Sequence, residues 1–281
     1  MTAFVASYLN ECYKLYSRKK YLVFLACGML LSIIWSELGM MVGDYLIWTE
    51  IGTELEFLLD DLIYWTGLDM LFGDFITMIG AQPVHAPTPL GALPFYQYLV
   101  LPIIVFVCSC DLITTEAAEK TMRSIISRPV ERWKIYAAKN AATVSYVALY
   151  LLAIFLTTAT MSTLFGRTLS GADLLHALAA YALSLVPLAA LAAFAALLAL
   201  GGANPSSTFS LLLFSYALLH ALPILIPATS ELLFTAYLGW HRLWLGARPA
   251  SGKLLQMVLV LLSSLATFFL LGTLVFERKD Y

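Results

Sequence analysis

The chain has 281 residues, 61% of them hydrophobic and 12% charged, with a net charge of −2. Soluble domains carry about 25% charged residues, so a surface wetted all round is excluded, and the near-neutral charge gives no footing for nucleic acid or a polyanionic substrate. Apolar residues come in unbroken blocks rather than one-sided stripes, which excludes one large soluble core as well.

In chain order, residues 1–20 read as an amphipathic helix, with Phe4, Tyr8, Cys12 and Leu15 near one face and Glu11, Lys14, Arg18, Lys19 and Lys20 supplying charge. The apolar segment that follows, Tyr21 to Gly43, is too long for a signal-peptide core and carries no small-x-small cleavage pattern, so it reads as a retained first span. Glu37 lies near its outer end, where it either snorkels to headgroups or faces a cargo path. Residues 44–92 hold Asp44, Glu50, Glu54, Glu56, Asp60, Asp61, Asp69 and Asp74 and no lysine or arginine. With Leu58, Leu62, Trp65 and Phe72 near helical spacing, this stretch reads as short interfacial helices ending in the turn Pro83, Pro87, Pro89. Its acidity suits a vestibule for cationic cargo, and equally an outward loop that avoids basic residues.

The second span runs from Leu93 to Cys110. Of the four cysteines, Cys12, Cys27, Cys108 and Cys110, none is read as part of a disulfide framework, and Cys108 and Cys110 have no histidine nearby to complete a metal site. A third span covers Ala141 to Phe165 and a fourth Leu174 to Leu200. In the fourth, Ala189 and Ala193, Ala192 and Ala196, and Ala195 and Ala199 stand four apart, the spacing that lets helices approach closely in lipid, within the subunit or across a dimer. The fifth span, Thr208 to Pro227, holds His220 one turn before Pro223. That histidine is either a neutral imidazole satisfied by the backbone or a residue of the cargo path. Residues 229–250, rich in Trp, Tyr and Leu but broken by Glu231, His241, Arg242 and Arg248, suit an outer interfacial or re-entrant element, and Leu254 to Phe276 form the last span. Lys14, Arg18, Lys19, Lys20, Lys120, Arg123, Arg128, Arg132, Lys134, Lys139, Arg278 and Lys279, twelve of the sixteen basic residues, share one side if there are six spans. The fold class is therefore an all-α membrane bundle of six transmembrane spans with both termini cytoplasmic.

Residues 111–140 form the basic loop between the second and third spans. Ala118, Met122, Ile125 and Ile126 line one face of an expected helix from about Thr115 to Ser127. Glu116 with Lys120, and Glu119 with Arg123, are pairs four apart in the favourable order. Pro129 ends that helix and suits the first turn of the next, where Glu131 meets the positive end of its dipole. Headgroups and a protein partner would cover the apolar stripe equally well.

This stretch resembles the ATP-binding-cassette export permeases of the second type. Their first cytoplasmic loop has an acidic residue, a Gly-Thr pair, a Pro-x-x-Arg break and a lysine entering the third span. The matching residues are Glu116, Thr121, Pro129, Arg132 and Lys139, with Lys120 in place of the glycine. The tail with Phe276, Arg278 and Asp280 and the N-terminal amphipathic stretch are similar to that family's as well. The resemblance implies a permease without catalytic residues of its own, in a bacterial inner membrane. Two such permeases, identical or homologous, would assemble with two cytoplasmic ATPase subunits, and ATP and Mg would be held by the ATPases. Docking would run through Glu116, Glu119, Thr121, Met122, Arg123, Ile125, Ile126, Pro129 and Arg132, and a path lined by the second and fifth spans would place His220, Pro223 and Glu37 near the cargo. The chain itself carries no Gly-x4-Gly-Lys-Ser/Thr phosphate loop: the nearest approach, Gly246 to Leu254, has the wrong glycine spacing and a leucine for the hydroxyl.

The rival readings are an ion-coupled secondary transporter and a membrane-embedded enzyme. Three-plus-three spans permit the first arithmetically, but matching interrupted spans are missing. The second needs paired carboxylates or a nucleophile–base set, while His85, His176, His220 and His241 are scattered without ligand spacing.

Overall fold

The structure, a computed structural model, describes residues 3–48, 93–122, 130–164, 170–226, 229, 231–241 and 251–279. Among them all regular structure is helical. We label the helices α1 (Ala3–Ser17), α2 (Lys19–Trp48), α3 (residues 93–118), α4 (Arg132–Leu164), α5 (Gly171–Leu183), α6 (Leu185–Gly201), α7 (Pro205–Leu225) and α8 (Ser251–Arg278). A short 3₁₀ segment, Phe234–His241, precedes α8. Among the described residues, five stretches are long and apolar enough to cross a membrane: Tyr96–Ala118, Arg132–Leu164, Gly171–Gly201, Pro205–Pro223 and Leu254–Arg278.

The outer surface is that of a protein dissolved in lipid. Leu152 and Leu156 on α4, Phe214 and Leu218 on α7, and Leu259, Leu262, Leu270 and Leu274 on α8 all point outward and are exposed. In water such patches would drive association, whereas hydrocarbon accepts them without cost. Inside, α6 is the central helix and touches α3, α4, α7 and α8. Ala190, Ala192, Ala193, Ala195, Ala196 and Ala199 are all buried within the chain. The small-residue stripe thus packs helices of this subunit together.

Helix ends follow local chemistry. Ser170 accepts from the Asp173 backbone N–H at 3.2 Å while the Asp173 carboxylate accepts from the Ser170 N–H at 3.1 Å, a reciprocal cap that starts α5. Ser184 interrupts the path from α5 to α6, and its hydroxyl donates to the Ala180 carbonyl at 2.8 Å. Pro205 opens α7 at a position whose N–H has no helical partner.

A tyrosine-lined seam joins α2, α3 and α4. The Tyr146 hydroxyl donates to the Tyr21 carbonyl at 2.7 Å, and the Tyr96 hydroxyl donates to the Gly28 carbonyl at 2.8 Å. Gly28 is required there, because a methyl group on it would overlap the Tyr150 hydroxyl. Gly272 makes the equivalent close approach to Tyr136 between α8 and α4.

The third span starts well before the expected Ala141. α4 has 33 residues, about 50 Å at 1.5 Å per residue. That exceeds the roughly 30 Å hydrocarbon core, so its early turns, with Arg132, Trp133 and Lys134, stand clear of lipid. Residues 49–92, including most of the expected acidic interfacial segment, lie outside the described residues, as do 242–250 of the later aromatic segment. Its described part packs onto the bundle: Phe234 is buried with its ring centroid 5.4 Å from that of Phe268.

Candidate functional site

The charged residues gather where α1, the last turn of α3 and the first turns of α4 meet. α1 lies along α4 with Cys12 and Leu15 buried, and the Tyr8 hydroxyl is 2.7 Å from the Ser145 hydroxyl. Glu11 shares that inner face and is only 2% exposed. Its carboxylate meets two ammonium groups: Lys14 at 2.8 Å and Lys139 at 3.2 Å. Glu116, from the end of α3, meets the same two: Lys14 at 2.7 Å and Lys139 at 2.6 Å. The four side chains close a ring of alternating charge whose net charge is zero. Each carboxylate uses one oxygen per lysine, so Coulomb attraction and charge-assisted hydrogen bonds act together. Lys139 is 1% exposed, a position no lone ammonium tolerates. At Lys14, burial alone would lower the ammonium pKa, but Glu11 and Glu116 outweigh it and hold it above the ordinary lysine value.

A second knot sits beside the ring. Past Ser109, α3 widens into a π-type turn, Cys110–Thr115, which carries Asp111. The Asp111 carboxylate accepts from the Tyr21 hydroxyl at 2.6 Å and pairs with Arg18 at 3.4 Å and with Lys20. It therefore pins the corner between α1 and α2. Within the same turn the Thr114 hydroxyl donates to the Ala199 carbonyl at 3.0 Å, tying α3 to the end of α6.

The helix then stops. Lys120 has φ of 58°, the left-handed region, and its N–H donates to the Ala117 carbonyl at 3.2 Å. The Thr121 hydroxyl donates to the Glu116 carbonyl at 3.1 Å. This is a left-handed helix cap, the place where glycine is the usual residue. The sequence motif puts glycine where this chain has Lys120, and the backbone supplies the physical reason.

Three expectations are corrected here. The expected helix from Thr115 to Ser127 does not run through, since α-helical geometry ends at Ala118 and a turn covers 119–121. Glu116 does not pair with Lys120; it is buried and held by Lys14 and Lys139. Met122, expected on an open docking face, is fully buried in the chain's own core. Glu119 and Thr121 are exposed, while Arg123, Ile125, Ile126 and Pro129 lie outside the described residues. Arg132 is turned inward along the bundle, where its guanidinium donates to the Glu277 and Lys279 carbonyls at 2.8 and 3.2 Å. It thereby caps the C-terminal end of α8 with positive charge, and Lys279 in turn bonds the Leu200 carbonyl. On the exposed side of the same turn, Lys134 and the Trp133 N–H hold the Glu131 carboxylate at 2.8 and 2.5 Å, and these hydrogen bonds lower its pKa.

His220 lies on α7, away from this cluster. It is buried, its Nδ1–H donates to the Tyr216 carbonyl at 3.0 Å, and Nε2 has no hydrogen-bond partner among the described residues. Tyr98 and Tyr216 flank its ring, with centroids at 6.2 and 4.3 Å. Pro223 is buried in the next turn. Glu37 is on α2, and its side chain is outside what is described. Among the described residues no group of three His, Cys, Asp or Glu could hold a metal ion, and the four cysteines are free thiols.

Glu11, Lys14 and Asp111 are the contributors that sequence reading did not assign. A signal existed for the first: Glu11 falls on the Tyr8, Cys12, Leu15 stripe, and a carboxylate on an apolar stripe needs a buried cation. Lys139 sits likewise among Tyr136, Ala142 and Thr143 on the buried side of α4.

Lipid-facing leucines, helices of membrane length and charged helix ends gathered at one pole define a multi-pass helical membrane protein. Its family is that of the ABC-2 family transporter proteins, to which the chain belongs: the model of that family matches residues 9–220. The match begins inside α1 and takes in the charge ring, the loop and α7 as far as His220. Membership makes the chain a transmembrane permease of the ATP-binding-cassette class. No curated protein matches the chain.

Proposed function

We propose that this chain is the membrane subunit of an ATP-driven exporter, with α2 as a sixth span and both termini in the cytoplasm. α2 has 30 residues, enough to cross with turns to spare. A separate ATPase that holds ATP and Mg docks on the loop between α3 and α4, and two permeases with two ATPases form the working unit. The observation that carries this reading is the layout of that loop. Ala118, Glu119, Lys120 and Thr121 are exposed, while Glu116, one half-buried residue (Ala117) before them, and Met122, directly after them, are buried. A short segment presented outward from a rigid mount is what a docking partner needs in order to push on a bundle. The N-terminal helix and the end of α8 meet at the same pole, through Glu11 and Arg132, which supports an even number of crossings.

Cargo would pass along α3 and α7, with His220, Pro223 and Glu37 beside the path, and the acids of residues 44–92 favour a cationic peptide, drug or ion. The test has two parts. A cysteine at Glu119 should react with a membrane-impermeant maleimide only after cells are opened, and reaction in intact cells would overturn the topology. The purified chain should also capture a phosphate-loop ATPase and raise its hydrolysis rate; no capture would remove the ATP-driven reading.

A further inference from the structure

We infer that the Glu11–Lys14–Glu116–Lys139 ring is a mechanical joint that makes the N-terminal helix follow the docking loop; the inference rests on the reading of that loop as the place where force enters. Three elements supply the ring: α1 gives Glu11 and Lys14, the last turn of α3 gives Glu116, and α4 gives Lys139. The links between α1 and these neighbours are unlike in kind. Toward α4 they are apolar and aromatic as well as ionic, with Leu15 buried, Tyr8 on Ser145, and the Tyr16 ring 6.0 Å from that of Tyr146. Toward α3 they run through charged side chains, Lys14 to Glu116 and Arg18 to Asp111. Arg18 lies at the corner between α1 and α2, so Asp111 alone would leave α1 a pivot at one end. The ring adds a second fixed point four to seven residues away from Arg18 at that corner, and two points remove the rotation.

Glu116 sits two residues before the exposed stretch 118–121, and the Thr121 hydroxyl is bonded to its carbonyl. Any displacement of the loop therefore reaches Glu116 within one turn of backbone. From there it passes to Lys14 and α1, and through Lys139 to α4. Ion pairs suit this task because they are short and directional, and because Lys139, Glu11 and Glu116, at 1–7% exposure, are shielded from water and salt while Lys14 is 25% exposed. An apolar contact would let the surfaces slide.

The joint is tested in the full chain reconstituted in lipid nanodiscs, with Cys27→Ser as background because the other three thiols are buried. Nitroxide pairs are placed at Tyr13→Cys with Ala118→Cys, spanning α1 to α3, and at Tyr13→Cys with Trp133→Cys, spanning α1 to α4; all three positions are exposed. Removing one charge risks the fold, so the ring is neutralised as a whole by Glu11→Gln, Lys14→Met, Glu116→Gln and Lys139→Met, which leaves no unpaired buried charge. Dipolar EPR should show the α1–α3 distance distribution at least twofold broader in the neutralised chain, with the α1–α4 distribution unchanged. An unchanged α1–α3 distribution overturns the joint. So does equal broadening of both, which would mean that the ring merely holds α1 onto the protein. In a second arm, ATP and vanadate are added with the captured ATPase. The Tyr13 label should shift relative to an added label on α8 (Leu259→Cys) in the native ring and stay still in the neutralised one. If no ATPase is captured, the exporter reading fails, while the label distributions still decide the joint.

Discussion

Replacing Lys139 by methionine tests whether the buried ring is held as the distances imply. The substitution keeps the length and apolar stem of the side chain and removes the ammonium. Glu11 and Glu116 are then left with Lys14 alone, one uncompensated negative charge in a site where both carboxylates are nearly inaccessible. At contact distances of 3.2 and 2.6 Å and an effective dielectric of about 20, the lost attractions are roughly 5 and 6 kcal/mol in gross terms. Much of that is offset because the ammonium no longer has to be stripped of water. Measured losses for breaking one partner out of a buried pair are about 3–5 kcal/mol, and we expect the same here. For a chain of this size that is a fall of order 10 °C in apparent Tm, readable by intrinsic fluorescence of the detergent-solubilised protein. Adding Glu116→Gln to Lys139→Met leaves Glu11 facing Lys14 and restores neutrality, so the double variant should recover at least half of the loss. A single variant within 2 °C of wild type, or a double variant whose loss is the sum of the singles, would show that the four charges do not form one coupled unit.

Four further outcomes follow from the same geometry. Lys120→Gly removes the side chain from a left-handed residue; the relieved strain of about 1–2 kcal/mol, less the entropy glycine loses on folding, should leave a gain of about 0.5–1 kcal/mol, seen as a higher apparent Tm. Gly28→Ala drives a methyl into the Tyr150 hydroxyl and should cost about 1–3 kcal/mol, with Tyr150→Phe in the same chain recovering part of the loss. Arg132→Gln strips the cap from the end of α8, worth about 1 kcal/mol; hydrogen exchange should rise at 275–279 and stay unchanged in α6. Because the Lys14 pKa is raised in the folded protein, its contribution is complete below the ordinary lysine value and is lost as pH rises through the folded one. Wild-type stability should therefore hold to about pH 10 and fall above it, and Lys14→Arg, which stays charged there, should fall less.

Much of the fold was legible because lipid imposes simple rules. Apolar blocks near 20 residues long are a strong signal: the blocks from Leu93 and Leu254 each lie within a described helix, the block from Leu174 runs across α5 and α6, and the block from Thr208 follows α7 as far as Leu225. The small-residue pattern of Ala189 to Ala199 marked close packing, though spacing alone does not distinguish a contact within the chain from one between chains. What escaped was the length of α4. Arg132, Lys134 and Lys139 break the apolar run at its start, so hydropathy places the boundary at Ala141. The helix nevertheless continues outward, because Lys139 is neutralised by residues 128 and 23 positions away. Hydropathy treats every lysine as solvated and has no means of seeing a paired one.

The basic loop shows the same effect more sharply. The family resemblance implies one docking surface made of Glu116, Met122 and Arg132 together with Glu119 and Thr121. Folded, they separate into two sets with different duties. Glu116 and Lys139 carry the ring, Met122 is in the core, and Arg132 caps α8. Glu119, Lys120 and Thr121 face out, and the helix was broken to put them there, at a left-handed residue that no periodicity reveals. A partner can read only the outward set, while the inward set decides how stiffly that surface is mounted. Acidic reversal at exposed Lys120 should therefore weaken ATPase capture without lowering the apparent Tm. Neutralising the inward ring should leave capture intact and loosen what capture is meant to move. Opposite phenotypes from residues as close as Glu116 and Lys120 are the signature of a docking surface built on a separate joint, and a single shared phenotype for both would argue that the loop is one functional piece.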